Sequence, residues 1–135
     1  MILFENGVIK LEYLPASDIL ELAYPDLHEF ILPEIKNSVD VLVGNAINYD
    51  VKKVLPDSSR TLVEVNDEKS RETTVYLIEG LMKTRISKLA KLQSGNSVVE
   101  ITAQNNISHV LQSMPLTFDL RSFSNKADAL KWLEG

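Results

Sequence analysis

Polar and apolar residues alternate along Val8-Ile-Lys-Leu-Glu-Tyr13, and after the turn-forming Pro15-Ala-Ser-Asp18 a second short run follows in Ile19-Leu-Glu-Leu-Ala23. A period of two is the signature of a strand with one face in the core, so the pair reads as an N-terminal hairpin. Tyr24-Pro25-Asp26 then breaks the pattern. From Pro33 the period changes: Ile35, Val39, Leu42, Val43 and Ala46 fall on one helical face. Proline suits a first helical position, so the spacing predicts a helix from Pro33 to Ile47.

Val51 to Leu55 is the next strand candidate, ending in Asp57-Ser58-Ser59, and Arg60 to Val65 either extends it or forms a loop. Asn66-Asp67 resembles a helix start, with Val75, Ile78, Leu81 and Met82 as its buried stripe. Ile86 to Leu92 reads as a strand and Ser94-Gly95-Asn96 as a turn. Ser97-Val-Val-Glu100 has capping-box spacing, which starts a third helix that ends before Pro115. Leu116 to Phe123 reads as a last strand. Ser124, followed by Ala127, Leu130 and Leu133, predicts a short C-terminal helix carrying Trp132. The order is β-β-α-β-α-β-α-β-α. Strands separated by helices are expected to run parallel, so the class is α/β with a single mixed sheet.

The chain has 135 residues, 44% hydrophobic and 24% charged, which fits one domain over residues 1–135 with one sizeable core. A net charge of −5 with mixed signs removes the attraction that nucleic acid or an anionic membrane surface would supply. No apolar run approaches a membrane span and no signal-type N-terminus is present, so a cytoplasmic location is expected. With no cysteine there is no disulfide, thiol nucleophile or thiolate metal site.

The most informative short stretch is Val54-Leu-Pro-Asp-Ser-Ser-Arg60. Asp and Ser bond their own backbone, so Asp57-Ser58-Ser59 reads first as a strand-ending turn. The element order, the chain length and an Asp-Ser-Ser at the end of a central strand also resemble the STAS fold of SpoIIAA-like proteins, the anti-sigma-factor antagonists and their relatives. The tail Leu116-Thr-Phe-Asp-Leu-Arg-Ser-Phe-Ser-Asn-Lys-Ala-Asp-Ala-Leu-Lys-Trp-Leu133 is similar to that of the broader group. The resemblance implies a non-enzymatic regulatory or protein-interaction module. Its phosphoacceptor would be Ser59, with Ser58 the alternative and Asp57 and Arg60 flanking. Its partner would be another protein, of unknown identity, with a kinase or an anti-sigma-like factor as the alternatives the resemblance implies. Arg60 stands where that family has glycine, and Thr61 to Asn66 separate the serines from the next helix, which moves the hydroxyl away from a helix terminus. Arg60 is itself a fitting partner for an added phosphate.

Other residue types narrow the chemistry. His28 and His109 read as surface or half-buried histidines, since no ligand spacing surrounds them and no metal site is expected. Ser59, His109 and Asp57 can be written as a triad, but no Gly-x-Ser-x-Gly elbow accompanies them and no catalytic residue is assigned. The glycines form no phosphate loop, so no cofactor is expected. Lys83, Arg85, Lys88 and Lys91 read as cations serving a helix C-terminus. Trp132, Phe118 and Phe123 read as core plugs. Tyr24, Phe30 and Tyr49 would form a recognition surface near the carboxyl ends of the strands. Two further functions stay open: a binding domain for a lipid or other small apolar ligand, suggested by the group's likeness to lipid-transfer domains, and an enzyme. An exposed hairpin edge from Val8 to Ala23 would allow a homodimer.

Overall fold

The computed structural model describes residues 1–5, 9–23, 32–57, 67–93 and 97–135. Ten elements follow one another: β1 (Ile2–Glu5), β2 (Lys10–Leu14), β3 (Ile19–Ala23), α1 (Leu32–Asn48), β4 (Lys53–Asp57), α2 (Asp67–Met82), β5 (Lys88–Leu92), α3 (Ser97–Ser113), β6 (Asp119–Phe123) and α4 (Lys126–Glu134). The six strands form one sheet in chain order, β1-β2-β3-β4-β5-β6. The first three pair antiparallel and β3 to β6 run parallel, so the mixed α/β class holds.

Alternation along the strands sorts their side chains onto two unequal cores. Leu11, Leu20, Leu22, Val54 and Leu89 meet Val39, Leu42 and Ala46 of α1, Leu77, Ile78 and Leu81 of α2 and Val110 of α3. Of the expected helical stripes Val39, Leu42, Ala46, Ile78 and Leu81 are buried here and Val43, Val75 and Met82 partly so, while on α4 the buried residues are Ala129 and Leu133 and the expected Ala127 is exposed. On the opposite face Ile19, Leu55, Ala90 and Leu92 receive Ala129 and Leu133 of α4, with Leu130, Trp132 and Phe123 packed around them. Each fully buried leucine contributes roughly 1.5–3 kcal/mol by leaving water, and Leu133 is the anchor that lets nine residues stay docked. Trp132 and Phe123 pack as expected, with ring centroids 5.6 Å apart, and Phe118 is buried on the three-helix side.

Several boundaries differ from the expectation. β1 was not anticipated, because Ile2-Leu-Phe4 is a continuous apolar run with no alternation to announce a strand. It covers β2, while β3 lies between β2 and β4, so among the described residues of the expected hairpin neither β2 nor β3 offers an open edge to a second copy. The outer edge belongs to β1, whose register shifts between Ile2 and Phe4; such irregularity discourages edge-to-edge pairing. β4 begins two residues later than expected and passes through Pro56 to Asp57. Its ladder to β3 is continuous, whereas the pairs with β5 are Lys53 with Lys88, Val54 with Leu89 and Asp57 with Leu92. Proline has no N–H to donate, and the gap in that ladder falls where it stands. The last strand starts at Asp119, not Leu116. The N-cap of α4 is Asn125, not Ser124: its Oδ1 accepts from the Asp128 N–H at 2.9 Å while its Nδ2 donates to the Asp128 carboxylate. The expected Arg60 to Val65 segment and the Ser94-Gly95-Asn96 turn lie outside the described residues.

Two helical glycines separate propensity from packing. A Cβ on Gly80 of α2 would stand 2.8 Å from Val43 Cγ2 of α1, whereas one on Gly44 would meet nothing within 4 Å. Val43 is β-branched and stiff, so it yields poorly. Gly44→Ala is expected to raise stability by about 0.5–1 kcal/mol. Gly80→Ala is expected to lower it by about 1–2 kcal/mol through overpacking, with Val43→Ala restoring most of the loss. Urea denaturation of the three variants checks this.

Candidate functional site

The parallel strands β3 to β6 end together, and each is followed by chain that leads to a helix, so α1, α2, α3 and α4 all begin at the carboxyl edge of the sheet. This edge gathers the positive ends of four helix dipoles. The strands follow one another in chain order, so the sheet has no point at which the order reverses and no crevice of that origin. Asp57 closes β4 at this edge, paired in register with Ala23 of β3 and Leu92 of β5. Ser58, Ser59 and Arg60 come next and lie outside the described residues, as do Tyr24, His28 and Phe30.

One residue before Leu92, Lys91 turns to the α3 side. Its Nζ lies 3.0 Å from Glu100 Oε1, with each side chain 16% exposed. Gln104 Nε2 donates to Glu100 Oε2 at 2.6 Å and to Ser122 Oγ at 3.1 Å. An ion pair and an amide thus tie β5, α3 and β6 together beneath the carboxyl edge. Sequence reasoning placed Lys91 in a basic cluster and Glu100 in a capping box. Only the pleat of β5 and the start of α3 bring the two together.

Tyr49 does not join the carboxyl edge. It follows α1 and precedes β4, so it sits at the amino ends of the strands, the opposite end from Asp57. The reason is geometric: the helix carries the chain back across the sheet before the next parallel strand can start. There Tyr49 is 45% exposed, its ring centroid 5.8 Å from that of Tyr13. Tyr13 Oη donates to Asp18 Oδ1 at 2.8 Å, and Lys52 N–H donates to Asp18 Oδ2 at 3.2 Å. Asp18 (φ 56) and Asp50 (φ 51) both adopt the left-handed region that aspartate tolerates. Lys52 Nζ contacts Asp50 Oδ2 at 2.8 Å, and this hydrogen bond, with Lys52 and Arg85 charge behind it, holds the Asp50 carboxyl below the usual aspartate range. The hydrogen bond to Asp18 pushes the Tyr13 phenol up, and one to Asp40 does the same for Tyr76. The Asp50 shift arises within the connection from α1 to β4, the Tyr13 shift between β2 and the turn that follows it, and the Tyr76 shift in a contact between α2 and α1.

The expected basic cluster is dispersed. Arg85 lies 3.7 Å from Asp50, Lys91 pairs with Glu100, and Lys88 donates to the Trp132 carbonyl at 2.9 Å with its ammonium 5.1 Å from the indole centroid. Lys88 does serve a helix C-terminus, but that of α4 rather than α2. His109 is exposed on α3, twelve residues past the helix start and about 18 Å along its axis from the carboxyl edge, which separates it from Asp57. Among the described residues no three or more His, Asp or Glu side chains converge as a cation site. No helix of the described residues is long and apolar enough to cross a membrane. No protein-family model, curated protein or solved structure matches this chain.

Proposed function

We propose that this domain is a non-enzymatic protein-interaction module of the SpoIIAA-like kind, switched by phosphate on Ser59 with Ser58 as the alternative acceptor. The observation that carries the reading is that β4, an interior parallel strand, ends on Asp57 at the edge where four helices begin. The serine pair follows Asp57 directly in the chain. From β2 onward the element order is also the one the resemblance implies, with β1 as an addition in front. A phosphate brings about −1.5 to −2 charges and three acceptor oxygens. On a domain of net charge −5, that added charge changes which partner surface is tolerated at this edge.

Intact and peptide mass spectrometry on protein from its native cell should show the mass of one phosphate, about 80 Da, on the peptide holding Ser58 and Ser59. The partner recovered with it should bind Ser59→Ala as it binds the parent chain and lose at least tenfold in affinity for Ser59→Asp. An unmodified peptide across growth conditions, or equal binding of both variants, rejects the switch. An apolar ligand retained in the native spectrum would replace this reading with that of a ligand carrier.

A further inference from the structure

The two cores of the sheet are separable. No residue of α4 belongs to the cluster under α1, α2 and α3, and the strands beneath α4 are held by that cluster through Leu20, Leu22, Val54 and Leu89 on their other face. Loss of α4 therefore uncovers Ile19, Leu55, Ala90 and Leu92 without opening the larger core. Among the described residues no other helix packs on these four, which are buried while α4 is seated. Nine residues are too few to hold a helix alone in water, so α4 docks and folds in one event and leaves in one. Its fastenings run along its whole length: the Asn125 cap and the Lys126–Glu21 ion pair at the start, Ala129 in the middle, and Leu133 with the Lys88 bond to the Trp132 carbonyl at the end.

Lys126 shows what the seat under α4 selects. A cation in the first turn opposes the helix dipole, yet Lys126 is the first residue of α4. Its Nζ lies 3.1 Å from Glu21 Oε1, and Glu21 stands in register opposite Glu12 on the β2–β3 ladder. Two carboxylates directly opposite each other destabilise a strand pair, and a cation set over them offsets this. Three and seven positions further on, Ala129 and Leu133 are fully buried, so the seat has room for a methyl and, one turn later, for a leucine. We propose that α4 is a strap that opens as a unit, and that the seat it uncovers takes in its place a helix of a partner protein with this same pattern: a base in the first turn, a small residue three positions on, and a leucine four beyond that. The strap is then an intramolecular competitor, and the partner binds only to the fraction of chains in which α4 is open. This inference does not depend on the Ser59 reading.

Native-state hydrogen exchange on the full chain should show the α4 amides exchanging at least about 100-fold faster than the most protected amides of β3, β4 and β5. A synthetic peptide of residues 124–135 is the probe for the seat. It should bind the full-length Leu133→Asp variant, whose own strap is undocked, at least about tenfold more tightly than it binds the parent chain. The same peptide carrying Lys126→Glu should lose at least about tenfold on that variant. Ala129→Asp replaces Leu133→Asp if the latter does not fold. Exchange of α4 only with global unfolding, loss of strand protection in both variants, equal peptide binding to parent and variant, no binding to either, or indifference to Lys126→Glu overturns the proposal. A parent chain that dimerises by exchanging α4 between copies overturns it too, since the seat then belongs to a second copy.

Discussion

Leu81→Ala should lower stability by about 3–4 kcal/mol and the melting midpoint by roughly 10 °C or more, the largest effect expected of a single truncation in this chain. Leu81 is fully buried on the middle helix of the three, in the cluster that includes α1, α3 and the sheet. Its neighbours come from several elements that cannot all move inward, so the cavity left by the lost methyls stays open. That residual cavity adds to the transfer cost of the deleted atoms. Leu111→Ala is the matched control, the same change on a residue 55% exposed, and should stay within about 0.5 kcal/mol in dilute solution. Parallel urea and thermal denaturation separates the two, and a Leu81→Ala loss below about 1 kcal/mol would mean the helix layer repacks around the gap.

Glu100→Ala ranks next, with an expected loss of about 3 kcal/mol, because it strands the half-buried Lys91 ammonium and removes the acceptor of the Gln104 amide. An exposed pair of the same residue types is worth only about 0–1 kcal/mol. The difference tests whether 16% exposure on both partners desolvates them. The double variant Lys91→Met with Glu100→Leu removes both charges at similar volume and should return to within about 1 kcal/mol of the parent chain, or exceed it. A double-mutant cycle in denaturant reads the coupling directly. A single variant as mild as a surface pair would show that water reaches the ion pair in solution.

Of the candidate site, the strand that leads to Asp57 was legible among the described residues. Residue order alone placed a strand over Val51 to Leu55 with its end at the turn formers from Asp57, because apolar Val54-Leu55 meets them there, and the structure carries it on to Asp57. It also gave Phe118, Phe123 and Trp132 as packing residues, since large aromatic side chains next to a short helix have few other uses. It misplaced Tyr49, because a loop residue carries no mark of which sheet end it occupies. It gave Glu100 a place in the first turn of α3, where that helix does begin, but not the reach across to Lys91 of β5, because a glutamate three positions after a serine carries no mark of a partner on another element. Ser124 and Asn125 are both good caps, and only the backbone of the descending strand chose the second.

By itself, then, the sequence determined what is periodic and local: helices where apolar residues recur every three or four positions, strands where they alternate, and hence a mixed α/β domain with Leu42, Leu81 and Leu133 among its core. The tertiary structure alone decided what depends on residues far apart in the chain. It paired β1 with β2 and closed the hairpin edge, ordered six strands in sequence, sent Tyr49 to the amino end, and joined Lys91 to Glu100 while leaving Ile101 and Leu111 facing outward. The division follows from range: a side chain's preference for helix or strand is set by its own few neighbours, whereas its partner is set by which surfaces the whole chain must bury together.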